Sequence, residues 1–212
     1  MIDAILFDLD GTLIDTESVS MRAGRAAFAL LGHPVPDDFL HGLVGVDLPR
    51  SGVIIQSTFP HLDLDRLNAH WRAGFESEIE QNLPMKQGAK LLLAMALRPM
   101  AIVTSSGRDA AHQKLRKAQI DHHFDHVITV DDVTAAKPAP DPYLLAAQRL
   151  GVDPARCLVF EDSETGAESA HRAGCIVVQV PDVVPSQGRW AHHLADDLLS
   201  GARHYGLIAP GL

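Results

Sequence analysis

Short apolar runs alternate with helical patterns along most of this chain, and the alternation restricts its fold more than any other feature. The runs are rich in β-branched or other apolar residues and too short for buried helices, so they predict β-strands. The predicted strands begin with the run at Ile5 and continue with Met100–Thr104, Val127–Val130, Cys157–Phe160 and Ile176–Val180. The predicted helices between them are Gly88–Leu97, Asp109–Gln119, Tyr143–Leu150 and Glu164–Ala173. This order predicts the α/β class, with a Rossmann-like, doubly wound parallel sheet as the core.

One stretch, residues 16–83, interrupts the alternation and contains no convincing strand. Apolar residues recur there at helical spacing, first at Val19, Ala23, Ala26 and Leu30, and later at Leu67, Trp71, Phe75 and Ile79. This periodicity predicts amphipathic helices, so we interpret the stretch as an α-helical insertion with hinges near Asp15-Thr16 and Leu83-Pro84. The predicted domains are an α/β core of residues 1–15 and 84–212 and a helical domain of residues 16–83.

The composition argues against several kinds of partner. The 212 residues carry a formal net charge of −9 without a run of Lys or Arg, so we expect no nucleic-acid partner and no membrane partner. The sequence has no apolar run of membrane-spanning length and no basic amino-terminal segment typical of a signal peptide, which predicts a cytoplasmic protein. Cys157 and Cys175 border apolar runs and are expected to be buried thiols, with a single disulfide as the alternative.

Polar residues stand at the carboxyl ends of four predicted strands. They are Asp8 and Asp10, Thr104 and Ser105, Asp131 and Asp132 with Lys137 beyond them, and Glu161 and Asp162. In open α/β sheets ligands bind at this edge, where strand ends and helix N-termini face a common crevice. Residues i and i+2 of a strand point to the same side, so the carboxylates of Asp8 and Asp10 are expected to converge. Converging carboxylates require a cation, and hard oxygen ligands suit Mg²⁺, which indicates metal-assisted phosphoryl chemistry.

Four ordered motifs carry a family resemblance. They are Asp8-Leu9-Asp10-Gly11-Thr12, Thr104-Ser105, Lys137-Pro138, and Glu161-Asp162-Ser163 with Gly166 and Ala173-Gly174. With these motifs the chain resembles the haloacid dehalogenase-like hydrolase superfamily, in the branch near β-phosphoglucomutase and the small sugar-phosphate phosphatases. The resemblance implies that the helical insertion is a small cap that closes over the site.

The resemblance also implies how the acidic residues act. Asp8 would be the nucleophile that forms an aspartyl-phosphate, and Asp10 would be the general acid and base. A Mg²⁺ ion would be held by the Asp8 side chain, the backbone carbonyl of Asp10 and the Asp162 side chain. Glu161 would be either a further ligand or a residue that supports the ligands.

The remaining polar residues divide into phosphate-binding candidates and turn residues. Thr104, Ser105 and Lys137 would bind phosphoryl oxygens in the family pattern. Helix capping is the alternative interpretation of Thr104 and Ser105, because both residue types commonly begin helices. Asp131 and Asp132 are expected to be turn residues rather than ligands.

These roles predict a Mg²⁺-dependent phosphatase that acts on a small phosphorylated metabolite, and we expect that metabolite to be a sugar phosphate. We expect the protein to be a monomer or a weak homodimer. A phosphomutase of the β-phosphoglucomutase type is the nearest alternative. Such mutases depend on a cap histidine where this chain has Ser20, so hydrolysis is favoured. A dehalogenase is disfavoured because the motifs are the phosphoryl-transfer version of the set. A non-catalytic phosphoacceptor or binding module is the alternative from another class.

Arg50 is a further candidate within the predicted cap. In this branch of the family an arginine after a Gly-containing cap segment meets the substrate end remote from the reacting phosphate, and Arg50, in the stretch of residues 45–50, is the nearest match. The alternative is a solvated arginine at the start of a cap helix.

Overall fold

A computed structural model describes residues 1–44, 46 and 48–208 of the chain. The chain divides into two compact units, one formed by Met1–Asp15 with the chain from Pro84 onward, and the other by Thr16–Leu83. We call them the α/β unit and the helical unit. Each has its own hydrophobic core of buried side chains.

The α/β unit is built on a parallel sheet. Its strands are β1 (Ala4–Phe7), β2 (Met100–Val103), β3 (His126–Ile128), β4 (Cys157–Glu161), β5 (Ile176–Gln179) and β6 (His193–Leu194). Their order is β3-β2-β1-β4-β5-β6, and all neighbouring pairs are parallel. The strands β2 and β3 follow on one side of β1, and β4, β5 and β6 follow on the other. The strand order thus reverses between β1 and β4, which is where doubly wound sheets bind ligands. The observed sheet confirms the predicted fold class.

Helices connect the strands and build the helical unit. The helical unit contains α1 (Thr16–Leu30), α2 (Asp37–His41), α3 (Leu48–Thr58) and α4 (Leu64–Gln81). The α/β unit contains α5 (Ala89–Met95), α6 (Arg108–Ala118), α7 (Asp141–Leu150), α8 (Glu164–Arg172) and α9 (Leu198–His204). Gly151 ends α7 with a left-handed backbone, φ +68°, as its sequence position predicts.

Most elements predicted from the sequence are confirmed within one or two residues at their ends. The four predicted helices of the α/β unit correspond to α5, α6, α7 and α8, and the five predicted strands to β1 through β5. Four of the described α-helices and strands were not predicted, namely α2, α3, α9 and β6. Three of these have seven residues or fewer, too few for a hydrophobic period to be visible, so tertiary contacts decide them.

The helical unit is held together by close packing of α1 against α4. Gly24 of α1 makes this possible, because a Cβ at Gly24 would lie 2.5 Å from the Trp71 ring. Phe28, one turn further along α1, packs edge-on against Trp71 with 6.1 Å between ring centroids. The predicted apolar stripe through Trp71 is therefore a packing surface, and it buries a core of aromatic and aliphatic side chains.

Two further sequence predictions bear on the α/β unit and on membranes. Cys157 and Cys175 are both buried and both free thiols, which confirms the thiol prediction over the disulfide. Among the helices of the described residues, none combines the length and apolar character needed to cross a membrane.

Candidate active site

The turn after β1 forms the centre of the site. Asp8 is still tied to the sheet, since its backbone N–H donates to the carbonyl of Phe160 at 3.0 Å. Gly11 then adopts a φ of +87°, and a Cβ at this position would lie 2.4 Å from Oδ2 of Asp162. Glycine is thus required here both for the backbone conformation and for space. The turn brings the segment after β1 directly against the residue that follows β4.

Three carboxylates meet at this point, and we call Asp8, Glu161 and Asp162 the acidic cluster. One oxygen from each side chain lies within 4.8 Å of the others. Asp8 and Glu161 are buried, with 7% and 0% of their surface exposed, and Asp162 is partly buried. Carboxylates removed from water need a counter-charge, so the cluster depends on cations placed inside the site.

Lys137 supplies one of these cations. Its Nζ donates to Asp8 Oδ1 at 2.7 Å, to Glu161 Oε1 at 2.6 Å and to the backbone carbonyl of Val103 at 2.8 Å. Burial opposes the charged ammonium, but the carboxylates of Asp8 and Glu161 outweigh burial and raise the pKa of Lys137 above its ordinary value. Lys137 is therefore a permanent positive charge beside Asp8, with all three of its N–H donors engaged.

Glu161 is locked in place behind Lys137. The Tyr143 hydroxyl donates to Glu161 Oε1 at 2.7 Å, and the Ser163 hydroxyl donates to Oε2 at 3.1 Å. Gly166, in the first turn of α8, leaves the space that this carboxylate occupies, because a Cβ there would lie 1.7 Å from Oε1. Both oxygens of Glu161 are thus engaged by protein donors, which suits a residue that orients Lys137.

The acidic cluster carries more negative charge than Lys137 can balance. Burial, reinforced by Glu161 and opposed by Lys137, raises the pKa of Asp8 to about 7 from an ordinary value of 3.8. Burial, followed by repulsion from Asp8 and Glu161, raises the pKa of Asp162 to about 9. These shifts express the cost of holding three carboxylates around one ammonium group. The cluster, a set of hard oxygen donors with excess negative charge, therefore fits a divalent metal ion.

The Asp10 carboxylate has partners different from those of the acidic cluster. Ser106 Oγ donates to its Oδ2 at 2.8 Å, and Lys114 Nζ donates to its Oδ1 at 2.5 Å. The Asp10 side chain is 27% exposed, compared with 10% for the Asp8 side chain. Asp8 and Asp10 thus share one edge of the sheet, as predicted, but each is held by its own lysine.

Residues 104–106 form the loop after β2. Thr104 is buried, and its hydroxyl accepts a hydrogen bond from the Ser106 backbone N–H at 3.0 Å. The residue that caps α6 is Gly107, without a side-chain bond, so the alternative that Thr104 or Ser105 caps this helix is wrong. Ser105 is exposed, and binding of phosphate by Thr104 and Ser105 stays a prediction.

Asp131 and Asp132 serve the loop after β3. The Asp131 carboxylate accepts from the backbone N–H of Arg108 at 2.8 Å, which anchors the start of α6. The Asp132 carboxylate accepts from the backbone N–H and hydroxyl of Thr129, forming a capping box. The interpretation of both as turn residues is confirmed.

The helical unit contains a cavity of its own, with a volume of about 450 Å³. Its walls are largely apolar and include Leu43, Ile55 and Trp71, with polar groups supplied by Ser20 and Arg72 among others. Arg50 lies in the first turn of α3 with an exposed side chain. Two residues of the stretch that carried the Arg50 prediction, Gly45 and Asp47, lie outside the described residues.

Among the described residues, sequence reasoning missed Ser106, Tyr143 and Lys114, whose side chains donate to the carboxylates of predicted site residues. Ser106 directly follows the Thr104-Ser105 motif, so extending that motif by one position would have found it. Tyr143 and Lys114 lie on helices, and their partners Glu161 and Asp10 are distant in sequence. A helical pattern carries no signal for such contacts, because they depend on how the helix packs against the sheet.

The chain belongs to the haloacid dehalogenase-like hydrolase family. A sequence profile of that family matches residues 5–180, from β1 to the end of β5. The match confirms the family and enzyme class predicted from the four motifs.

Three known proteins illustrate the range of relatives. Fructose-1-phosphate phosphatase YqaB of Escherichia coli K12 is 33% identical over 182 residues, covering 83% of this chain and 95% of that protein. The structure of a HAD family hydrolase from Deinococcus radiodurans, with bound phosphate and sodium, matches with a TM-score of 0.85 and 25% identity over 99% of both chains. A β-phosphoglucomutase from Clostridium difficile has a TM-score of 0.69 and 21% identity over 97% of this chain and 99% of that one, which shows the fold alone.

Proposed function

We propose that this protein is a Mg²⁺-dependent phosphatase that hydrolyses a small phosphorylated metabolite, a sugar phosphate, in the cytoplasm. The observation that carries the proposal is the acidic cluster. The Asp8 carboxylate after β1 accepts a hydrogen bond from the permanently charged Lys137. The carboxylates of Glu161 and Asp162 add the negative charge that a divalent ion would offset. The relative named as a fructose-1-phosphate phosphatase supports the choice of a sugar phosphate.

In the proposed reaction Asp8 is the nucleophile. One of its oxygens attacks phosphorus, the bond from phosphorus to the substrate oxygen breaks, and a proton from the Asp10 carboxyl group passes to that leaving oxygen. Water then attacks the aspartyl-phosphate and gives a proton to Asp10, the bond from phosphorus to Asp8 breaks, and inorganic phosphate leaves. Lys137 stabilises the negative phosphoryl oxygens and keeps the nucleophile in position.

The proposed metal ligands are Asp8, Asp162 and the backbone carbonyl of Asp10, with Glu161 supporting them through Lys137. These oxygen donors would suit Mg²⁺, which is usually held by one or two carboxylates together with substrate phosphates. When bound, the ion would neutralise charge on the phosphoryl group. The high pKa of Asp162, caused by burial and by its neighbouring carboxylates, is the feature a cation would relieve.

We further propose that the helical unit, residues 16–83, acts as a cap that selects the substrate. Its cavity of about 450 Å³ has mixed apolar and polar walls, which suits recognition of an organic group. In this proposal Arg50 makes a charge-assisted contact with a carboxylate, phosphate or hydroxyl group of the substrate.

The phosphomutase alternative is disfavoured by Ser20. A mutase of the β-phosphoglucomutase type needs a histidine here, whereas the Ser20 hydroxyl accepts a hydrogen bond from the Trp71 indole N–H at 3.2 Å. This serine is thus engaged in packing α1 against α4. The binding-module alternative is disfavoured by Asp10, whose carboxylate is held by two donors as an acid-base group would require.

A phosphate-release assay on a panel of phosphorylated metabolites and p-nitrophenyl phosphate tests the proposal. We expect activity with Mg²⁺, none in chelator, recovery when Mg²⁺ is restored, and little activity with Ca²⁺. β-Glucose 1-phosphate with a bisphosphate activator should yield free phosphate, whereas conversion to glucose 6-phosphate would identify a mutase. No turnover of any substrate with Mg²⁺ would refute the enzyme and favour the binding module.

A further inference from the structure

Lys114 is a partly buried cation of the site that none of the four family motifs includes. We propose that Lys114 is a positioning residue that, together with Ser106, holds the Asp10 carboxylate in the orientation needed for proton transfer to the leaving group. The inference rests on the proposed phosphatase function and deepens it.

The contacts form a closed triangle. Lys114 Nζ donates to Asp10 Oδ1 at 2.5 Å and to Ser106 Oγ at 3.1 Å, and Ser106 Oγ donates to Asp10 Oδ2 at 2.8 Å. Each oxygen of the carboxylate therefore has a separate donor, so the group cannot rotate without losing a hydrogen bond. Each carboxylate oxygen has a second lone pair, which leaves room for a proton exchanged with substrate.

The backbone of Lys114 is held in place by its helix. It lies on α6, where Ala111, Leu115 and Ala118 are buried and anchor the helix. The Lys114 side chain is only 13% exposed, in contrast to 51% for Arg22 in its surface pair with Glu78. A partly buried, charge-assisted bond to a residue 104 positions away orders its partner more strongly than an exposed pair does.

Asp10 needs such support more than Asp8 does. Asp8 is buried and held by Lys137, whereas Asp10 is partly exposed and must serve two proton transfers. General acid-base catalysis contributes roughly 10²–10⁴-fold to rate, and misplacement of a group by about 1 Å can cost about 10²-fold. Loss of the Lys114 contact should therefore reduce the rate of steps that depend on the Asp10 proton.

The leaving group distinguishes such a role from a structural one. When the phosphorus–oxygen bond of a sugar phosphate breaks, the departing alkoxide needs the Asp10 proton. When p-nitrophenyl phosphate reacts, the nitrophenolate leaves as a stable anion without a proton. Because kcat/KM reports only the steps up to release of the alcohol or phenol, the ratio of kcat/KM for these substrates measures the contribution of Asp10 as an acid.

The experiment compares Lys114→Met, Lys114→Arg and Arg116→Met with the parent enzyme. Arg116 is an exposed cation on the same helix and serves as the matched control. We expect Lys114→Met to lower kcat/KM by about 10- to 100-fold for the preferred sugar phosphate, and by less than about threefold for p-nitrophenyl phosphate. Lys114→Arg should restore most of the sugar-phosphate activity, and Arg116→Met should match the parent on both substrates.

The other outcomes have distinct meanings. Equal losses on both substrates, with or without a lower melting temperature, would show that Lys114 is structural and would overturn the inference. Parent-like activity of Lys114→Met on the sugar phosphate would overturn it as well. An inactive parent would refute the proposed phosphatase function itself, which separates that failure from a failure of the Lys114 inference.

Discussion

The two units of the chain place their polar groups in opposite ways. In the α/β unit, carboxylates and a lysine are buried at the centre of the sheet edge, where Asp8, Glu161 and Lys137 contact one another. In the helical unit, the described core is aromatic and aliphatic, and its ion pairs, such as Arg22 with Glu78, are exposed. Buried charges are costly unless they are paired. The buried charges of the α/β unit therefore indicate a catalytic site, whereas the apolar core and exposed ion pairs of the helical unit indicate a packing role. Substitutions should therefore affect the two units differently.

Asp8→Asn should have the largest effect. An amide of the same size cannot form the aspartyl-phosphate, so phosphate release should fall by at least about 1,000-fold. Removing a buried carboxylate whose pKa is raised to about 7 by burial should leave the fold intact, as measured by circular dichroism. Activity within tenfold of the parent would refute the nucleophile assignment.

The matched control for that variant is Asp131→Asn. Asp131 follows β3 at the same edge of the sheet, and its carboxylate accepts the backbone N–H of Arg108. An amide oxygen can accept the same bond, so activity should stay within about twofold of the parent.

Alanine substitutions at two helical glycines, one in each unit, test the difference in packing between the two units. Gly166→Ala would place a methyl group 1.7 Å from Glu161 Oε1, and Glu161 cannot yield without breaking its bonds to Lys137 and Tyr143. We expect a loss of about 1–3 kcal/mol in the free energy of unfolding, together with a large loss of activity.

Gly52→Ala in α3 of the helical unit is the comparison variant. Its new Cβ would meet the Leu64 side chain at 3.4 Å, and alanine has a higher helix propensity than glycine. The free energy of unfolding should stay the same or rise by up to about 1 kcal/mol. A comparable loss of stability in both variants, measured by chemical denaturation, would contradict the difference in packing.

Arg50→Ala tests whether the helical unit contributes to substrate selection. It should lower kcat/KM for the preferred metabolite. The corresponding loss of transition-state stabilisation should be about 1.5–3 kcal/mol, the range for a hydrogen bond to a charged group. A small aryl phosphate lacks the remote group and should be nearly unaffected. Equal losses on both substrates would indicate misfolding of the helical unit, and no loss on either would leave Arg50 as a solvated residue.

A pH-dependent shift in stability should originate in the α/β unit. Burial and like charges raise the pKa of Asp8 to about 7 and that of Asp162 to about 9, from 3.8. A carboxyl group whose pKa is higher in the folded state than in the unfolded state makes its full contribution to the free energy of unfolding below its unfolded-state pKa. That contribution is lost as the pH rises through its folded-state pKa. In chelator, the melting temperature should therefore fall between pH 6 and pH 9.

Added Mg²⁺ should raise the melting temperature more at pH 8.5 than at pH 6, because protons compete with the ion for the same carboxylates. Asp162→Asn should flatten the pH dependence measured in chelator. An equal effect of Mg²⁺ at both pH values would indicate that the ion does not bind at the acidic cluster.

Much of the α/β unit could be predicted because its signals are local. An apolar run that stops at Asp8, or a helix that ends at Gly151, is visible within about ten residues of sequence. Parallel strands then bring their carboxyl ends to one edge, so Asp8, Glu161 and Lys137 could be placed together before any contact was known. In the helical unit, by contrast, only the two longest helices, α1 and α4, repeat their apolar residues often enough to be recognised.

The sequence by itself determined the parallel α/β fold, the family and the identity of the acidic residues, because each depends on short-range periodicity or on residues fixed to strand ends. Only the tertiary structure decided the partners of those residues. The bonds from Lys114 to Asp10 and from Tyr143 to Glu161 join residues that are 104 and 18 positions apart. Such bonds depend on the exact packing of α6 and α7 against the sheet, since a side chain only a few ångströms long reaches its partner from one helix position alone.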